Sequence, residues 1–288
     1  MSKVYFTREI TPEKVVELYK KLGVTLDGKV AVKLHSGEIG NQNFLRSEFW
    51  KPIIDYVGGT PVECNTAYGG SRGTTKDHLN TLKQHGWSDM YDMEILDAES
   101  PDLELDVPNG KTIKKNYVGK GITKYNSMLV LSHFKGHPMG GFGGAVKQLS
   151  IGLASSYGKK HIHGGGDAEH AWSNKDQNTF LSAMADAAKS VVDYFDGKIA
   201  YISVLKNLSV DCDCCEVAED PCMADIGMLA SLDPIAIDQA GLDLVYKSDD
   251  KGRDHLIERI ESRNGIYTLE CADKLDFGSR KYEFAEID

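Results

Sequence analysis

Along the first hundred residues of this 288-residue chain, short runs rich in β-branched residues alternate with amphipathic stretches of helical period. The run KVAVKLH (29–35) alternates and reads as a strand, as do TPVEC (60–64) and residues 93–97. Between them, segments 12–22, 44–57 and 75–86 carry apolar residues at helical spacing. The first opens on Thr11, Pro12 and Glu13 and closes at Gly23, a start and a stop signal. Strands and helices in this rhythm stack as an α/β layer with a mostly parallel or mixed sheet covered by helices. The rhythm breaks at 103–117, where PNG (108–110) between alternating runs predicts a β-hairpin. It resumes with SMLVLSH (127–133), a helix over 173–195, the strand KIAYISVL (198–205), a strand, turn and helix over 225–246, and a charged helix around 253–263. The length and the break predict a two-lobed molecule, an N-terminal lobe over 1–120 and a C-terminal lobe over 121–288.

Charge and composition narrow the function. Thirty-three basic against forty-three acidic residues leave a net charge of −10, the wrong sign for a general binder of the phosphate backbone, so no nucleic-acid partner is expected. No apolar stretch reaches the roughly 18–20 residues that span a bilayer, and the start lacks the apolar core of a signal peptide. The expectation is a cytoplasmic protein with no membrane partner. Six cysteines are too few for a disulfide framework, and four of them fall together at Cys212, Cys214, Cys215 and Cys222. In a reducing compartment such clusters bind metal or do redox chemistry.

The densest run of chemistry-bearing residues is SHFKGHPMGGFGGAVKQLSIGLASSYGKKHIHGGG (132–166). Gly140, Gly141, Gly143 and Gly144 follow a predicted strand and precede a helix expected from Ala145 to Ala154, a junction where backbone N–H groups receive an anion. The spacing is not G-x-G-x-x-G and no P-loop follows, so a Rossmann cofactor site is not expected; a tight turn that lets a helix pack on a sheet is the plainer alternative. Lys135, His137, Lys147, His161 and His163 cluster in an otherwise acidic chain. Lys147 would sit in the first helical turn, where the dipole disfavours a cation unless an anion or a modification meets it. His137, Lys147 and Lys135 are the candidate catalytic residues. His161 and His163 would share one face of a strand and, with Asp167, Glu169 and His170 close by, form a candidate metal site.

The segment KNLSVDCDCCEVAEDPCMAD (206–225) offers four thiols, the complement of a zinc or iron–sulfur site, but its C-x-C-C-x6-C spacing is not that of a ferredoxin. Adjacent Cys214 and Cys215 ligate one metal together only with difficulty, so three cysteines with a histidine or carboxylate from elsewhere is an alternative set. Asp211, Asp213, Glu216, Glu219 and Asp220 are expected to raise the free thiol pKa values, favouring metal-neutralised thiolates over a simple nucleophile. Cys64 and Cys271 read as buried hydrophobes.

Two glycine loops follow predicted strands: His35, Ser36 and Glu38 with Gly37 and Gly40, and Tyr68 to Thr74 with Arg72 available for a carboxylate or phosphate. They suggest a shared cleft, or are simple connectors. Asp233, Pro234 and Asp238 are expected to stabilise the helix that follows them.

The runs LVLSHFKGHPMGGFGGAVKQLSIGLAS, DCDC and DIGMLASLDPIAIDQAGLDLV together resemble the family known as domain of unknown function 362, over most of the chain. That resemblance implies an α/β protein of unassigned activity, often associated with iron–sulfur clusters through an inserted ferredoxin-like segment whose regular cysteine pattern this chain lacks. HPMGGFGGAVK is also similar to the H-x-x-x-G-F-x-G-G-x-K segment of nickel-pincer lactate racemases, with the same ten-residue interval from His137 to Lys147. This resemblance implies a pincer-anchoring lysine at Lys147, an acid/base histidine at His137 and a nickel ligand at His163, with His35 and His78 as candidates for a second catalytic histidine. The chain departs from that pattern after Lys147, where QLSIG stands in place of a proline-containing continuation.

Three functions follow as expectations. The first is a metal- or iron–sulfur-binding protein with redox or small-molecule chemistry in an interlobe cleft and an anionic ligand. The second is a racemase-like enzyme moving hydride and proton on a hydroxy acid. The third is a non-enzymatic metal-binding accessory module.

Overall fold

A computed structural model describes residues 1–173 and 176–288. The chain opens with strand β1 (Ser2–Thr7) and helix α1 (Pro12–Lys21), whose N-cap Thr11 accepts from the Lys14 N–H. The alternating segment then runs β2 (Val30–Lys33), α2 (Ser47–Val57), β3 (Thr60–Glu63), α3 (Thr75–Gln84) and β4 (Glu94–Ile95). The hairpin expected around PNG forms from β5 (Leu103–Asp106) and β6 (Lys115–Val118), paired antiparallel. There follow β7 (Ser127–His133), a second small hairpin of β8 (Lys135–His137) and β9 (Gly141–Gly143), then α4 (Ala145–Ser150), α5 (Ser156–His163) and α6 (Gln177–Tyr194). Part of the segment expected to begin α6, residues 174 and 175, lies outside the described residues. The chain ends with β10 (Ile199–Leu205), β11 (Gly227–Ser231), α7 (Pro234–Lys247), α8 (Arg253–Ser262), α9 (Tyr267–Lys274) and β12 (Tyr282–Glu286).

One eight-stranded sheet in the order β12-β1-β11-β10-β7-β2-β3-β4 organises the molecule. Its β10-β7-β2-β3-β4 stretch is parallel, β11 runs antiparallel between β10 and β1, and β12 is parallel to β1. The fold class is therefore α/β with a mixed sheet. Strands from both sides of residue 120 join in this sheet, since β2 pairs with β7 and β1 with β11.

β7 and β10 are buried along their whole length because both faces are covered. Met128 and Val130 of β7 point into one apolar cluster with Phe134, Val146 and Leu149, whereas Leu129 and Leu131 point into the other with Leu18, Trp50 and Ile54. This period-two division is why SMLVLSH carries no polar interruption before its end.

The parallel strands set the position of the site. From β2 the chain winds outward to β3 and β4, whereas β7 lies on the other flank of β2 and leads to β10. Such a reversal leaves a crevice beyond the carboxyl ends of the two flanking strands. Lys33, Glu63 and His133 end β2, β3 and β7, and the cysteine segment follows β10.

Local expectations are corrected at α5, at α4 and at Asp238. HIH (161–163) is not a strand but the last turn of α5, whose N-cap Ser155 accepts from the Gly158 N–H. Residues two apart on a helix point to different sides, so His161 and His163 do not share a face. Helix α4 stops at Ser150, and Asp238 does not cap α7: Asp233 accepts from Ile235 N and Ala236 N, while the Asp238 carboxylate accepts from Ala145 N and Val146 N of α4, at 2.7 and 2.9 Å. The N–H groups expected to receive an external anion after Gly144 are thus bound to the chain's own carboxylate.

Candidate functional site

At the crevice lies a cavity of about 300 Å³, lined by residues from six segments, among them Lys33, Arg72, Lys135, His137, Lys147, Lys159, His163, Cys214 and Cys215. The two glycine loops and the glycine-histidine-lysine run therefore border one space. Gly143 and Gly144 line it, whereas Gly141, at φ +79°, packs on Gly265 and Ile260, and Gly140 holds the turn under His137.

The cysteine segment is held over this cavity by its backbone. Asn41 Nδ2 donates to the carbonyls of Cys212 and Cys215 at 3.3 and 2.9 Å, the Glu38 N–H to Asp213 O, and Cys215 N to Cys212 O, closing a turn. In that turn Cys212, buried, and Cys214, on the cavity wall, form with His137 a group whose potential ligand atoms lie within 4.8 Å of one another. Cys215 falls outside this mutual set. Cys222 donates its thiol to Leu208 O at 3.2 Å and packs on the core. The four cysteines named from sequence therefore do not converge, because the turn at 212–215 and the core packing of Cys222 separate them.

His137 is oriented unlike a ligand. Its Nδ1 accepts from Met139 N at 3.1 Å and Gly140 N at 2.8 Å, so the ring proton resides on Nε2. Burial, reinforced by Lys147, lowers its pKa to about 4, so the ring is neutral at pH 7. His137 is thus a proton-carrying neighbour of the two sulfurs, and it becomes a third ligand only by giving up that proton.

The expectation that acidic neighbours raise the thiol pKa values is reversed at Cys212. A hydrogen bond from Cys214 outweighs burial and, with Lys147, Lys135 and His137, holds the Cys212 thiol well below its ordinary value; Lys147 Nζ lies 4.0 Å from its sulfur. The acidic side chains are spent elsewhere. Asp211 pairs with Arg259 at 3.1 Å, and Asp213 turns under the loop to meet Lys135 at 2.7 Å and His133 at 2.9 Å. Burial opposes it, but His133 and Lys135 hold the Asp213 carboxyl well below the usual range. Cys214 is the opposite case, pushed up by its hydrogen bonds to Cys212 and Cys215 and by burial. The sulfur of Cys212 supplies the anion that a lysine in the first turn of α4 requires.

His163 lines the same cavity, stacked against Phe180 at 4.6 Å and beside Trp172 at 4.9 Å. Its Nδ1 donates to Lys159 O at 2.7 Å, which fixes the ring proton on Nδ1 and leaves Nε2 unprotonated, the tautomer of metal-ligating histidines. His161 instead packs against the rings of Tyr117 and Tyr157, and Asp167 and His170 pair with each other at an exposed turn. Of the further histidines, His35 lines the cavity, while His78 lies behind it between Asn65 and Glu63.

Sequence reading missed Lys33 and Lys159. Both are buried in the cavity wall: Lys33 donates to Leu34 O and Gln148 Oε1, Lys159 to Ala154 O. A lysine inside KVAVKLH resembles the polar half of an alternating strand, but with both faces covered it has no solvent to reach. Arg72, singled out in sequence, is 2% exposed and spends Nε on Glu38 at 3.2 Å, with Nη1 3.6 Å from Glu63.

None of the curated proteins matches this chain. Two solved structures are similar in part. The lactate racemase apoprotein from Thermoanaerobacterium thermosaccharolyticum has a TM-score of 0.43 at 14% identity, over 69% of this chain and 50% of that one. A Thermotoga maritima protein solved by the Northeast Structural Genomics Consortium has a TM-score of 0.41 at 10% identity, over 91% of this chain and 58% of that one. The chain thus spans about half the length of these structures. No helix among the described residues is long and apolar enough to cross a membrane. The family described as "Domain of unknown function (DUF362)" matches residues 30–243, well over half of the chain, and the protein belongs to that family.

Proposed function

We propose that the protein is a metal-dependent enzyme acting on a small anionic molecule, with the metal held by the sulfurs of Cys212 and Cys214 at the wall of the cavity. The observation that carries this reading is the convergence of the two sulfurs with His137 within 4.8 Å beside a cavity lined with lysines. Thiolates are ligands for zinc, copper(I) or iron, and a site with few protein ligands keeps positions open for substrate, as catalytic rather than structural centres do. Lys147 and Lys135 offset the thiolate charge, and the Nε2 proton of His137 is placed for transfer at that centre. A four-cysteine iron–sulfur cluster is not part of this proposal, because Cys222 is engaged elsewhere.

The test is metal analysis of anaerobically purified protein. About one equivalent of transition metal per chain is expected, lost in Cys212→Ser and in Cys214→Ser but kept in Cys222→Ser. Metal that is absent, or indifferent to both inner cysteines, would contradict the reading.

One observation favours a second, racemase-like reading: His163, its Nε2 unprotonated, lines the cavity that also holds Lys147. The side chains fit a nickel-pincer group to that extent, with Lys147 to anchor it and His163 to ligate it, and such a group supplies a hydride-accepting centre. His137 would then handle the proton of the substrate hydroxyl, once its own Nε2 proton has passed to the neighbouring Cys212 thiolate. Intact-mass measurement of protein from its native host checks this: an adduct mapped to Lys147 supports it, and unmodified Lys147 rejects it.

A further inference from the structure

The cavity has a second pole. Lys33 from β2, Arg72 from the loop after β3 and Lys159 from α5 all line it; Lys33 feels the charges of both Lys159 and Arg72, and Lys159 feels that of Arg72. Lys33 and Lys159 have only neutral hydrogen-bond partners, and burial lowers both, Lys33 to about 8. Buried ammonium groups are costly unless an anion meets them. Arg72 adds an unmet donor, for its buried Nη2 has no hydrogen-bond partner among the described residues. Unsatisfied buried donors are rare in folded proteins and call for an explanation such as an absent ligand. Against these three cations stand Glu38 and Glu63 on Arg72 and Asp97 near Lys159, but among the described residues no carboxylate hydrogen-bonds to either lysine, so both ammonium groups and Arg72 Nη2 are left able to take an anion from outside.

The mouth of the cavity has the opposite character. Tyr68, Met139 and Trp172 line it while remaining 42%, 39% and 51% exposed. Large apolar side chains left in water around a charged basin mark a place where an apolar surface docks.

We propose that the cavity binds a small carboxylic acid bearing an apolar or aromatic group, its carboxylate seated at Lys33, Arg72 and Lys159 and its apolar part against Tyr68, Met139 and Trp172. The proposal deepens the metal-centre reading and rests on it only for the reacting end of the ligand. A carboxylate presents two acceptor oxygens in one plane, suited to a free guanidinium N–H and two ammonium groups.

The test is calorimetric titration with 3-phenylpropionate, propionate, 3-phenyl-1-propanol and inorganic phosphate, with metal content measured on the same samples. 3-Phenylpropionate is expected to bind at least about tenfold more tightly than the other three. Lys159→Met should weaken it by about tenfold or more with the unfolding transition retained. Trp172→Ala, at an exposed position, should remove its advantage over propionate and leave propionate binding unchanged. Preference for phosphate, equal binding of the alcohol, no binding of 3-phenylpropionate, or binding indifferent to both variants would each overturn the proposal. The metal content of the parent protein separates the two readings: parent protein that purifies without metal yet binds the acid removes the metal centre and keeps this site, and metal-loaded parent protein that ignores the acid does the reverse.

Discussion

His137 and His163 line one cavity with Nδ1 held by the backbone in both, but in opposite protonation states, and the backbone decides which. Two N–H groups from the turn at 139–140 fix the proton of His137 on Nε2, whereas the Lys159 carbonyl fixes that of His163 on Nδ1. At this scale the account separates proton carrier from ligand. His137→Gln is therefore expected to retain its metal, measured per chain, while Cys214→Ser loses it; equal loss in both would make His137 a ligand. Asp213 is the other decisive residue. It pairs with Lys135 and meets His133 beneath the thiolate loop, so Asp213→Asn deprives a buried ammonium of its carboxylate. Chemical denaturation should show a loss of about 3–5 kcal/mol. A loss below about 1 kcal/mol would mean that the pair is structurally dispensable.

Among elements, α4 shows how the chain uses a helix start. Gly144 has no Cβ because one would lie 2.2 Å from Asp238 Oδ1, and the carboxylate then takes the Ala145 and Val146 N–H groups. Burial, opposed by those two bonds and reinforced by Asp233, lifts Asp238 to about 7. The folded protein therefore holds this proton more tightly than the unfolded chain does. The resulting stability is fully present below about pH 4 and lost as pH rises through about 7. Relative to the parent, Asp238→Asn should gain about 2–4 kcal/mol between pH 4 and pH 8, read from denaturant unfolding at each pH. A pH-independent difference would contradict this. The same element explains a limit of sequence reading: a glycine-rich strand-to-helix junction looks like an anion site until the residue that fills it, 93 positions away, is known.

Across the whole molecule, the central strands were legible because β2, β3, β7 and β10 are almost wholly buried and together rich in β-branched residues. β1 and β12, at the edge opposite β4, were not: β12 is largely exposed and carries no periodic apolar signal, and β1 has its partners β11 and β12 near the far end of the chain. The same contrast holds at the site. Its glycines, His137, Lys147 and inner cysteines announce themselves by composition, but Lys33 and Lys159 matter because of burial, which only the fold supplies. HIH misled because alternation is equally compatible with a helical last turn, whose Ser155 cap was the overlooked signal. The sheet reversal between β2 and β7 brings the cysteine segment, two glycine loops and the buried lysines to one crevice, and the account stands on metal being held there by two sulfurs. X-ray absorption at the edge of the bound metal tests that most directly. A shell of two sulfur scatterers at about 2.3 Å is the expected result for zinc, with one sulfur left in Cys214→Ser if metal is retained at all. A shell of nitrogen and oxygen alone, or one of four sulfurs, would contradict it.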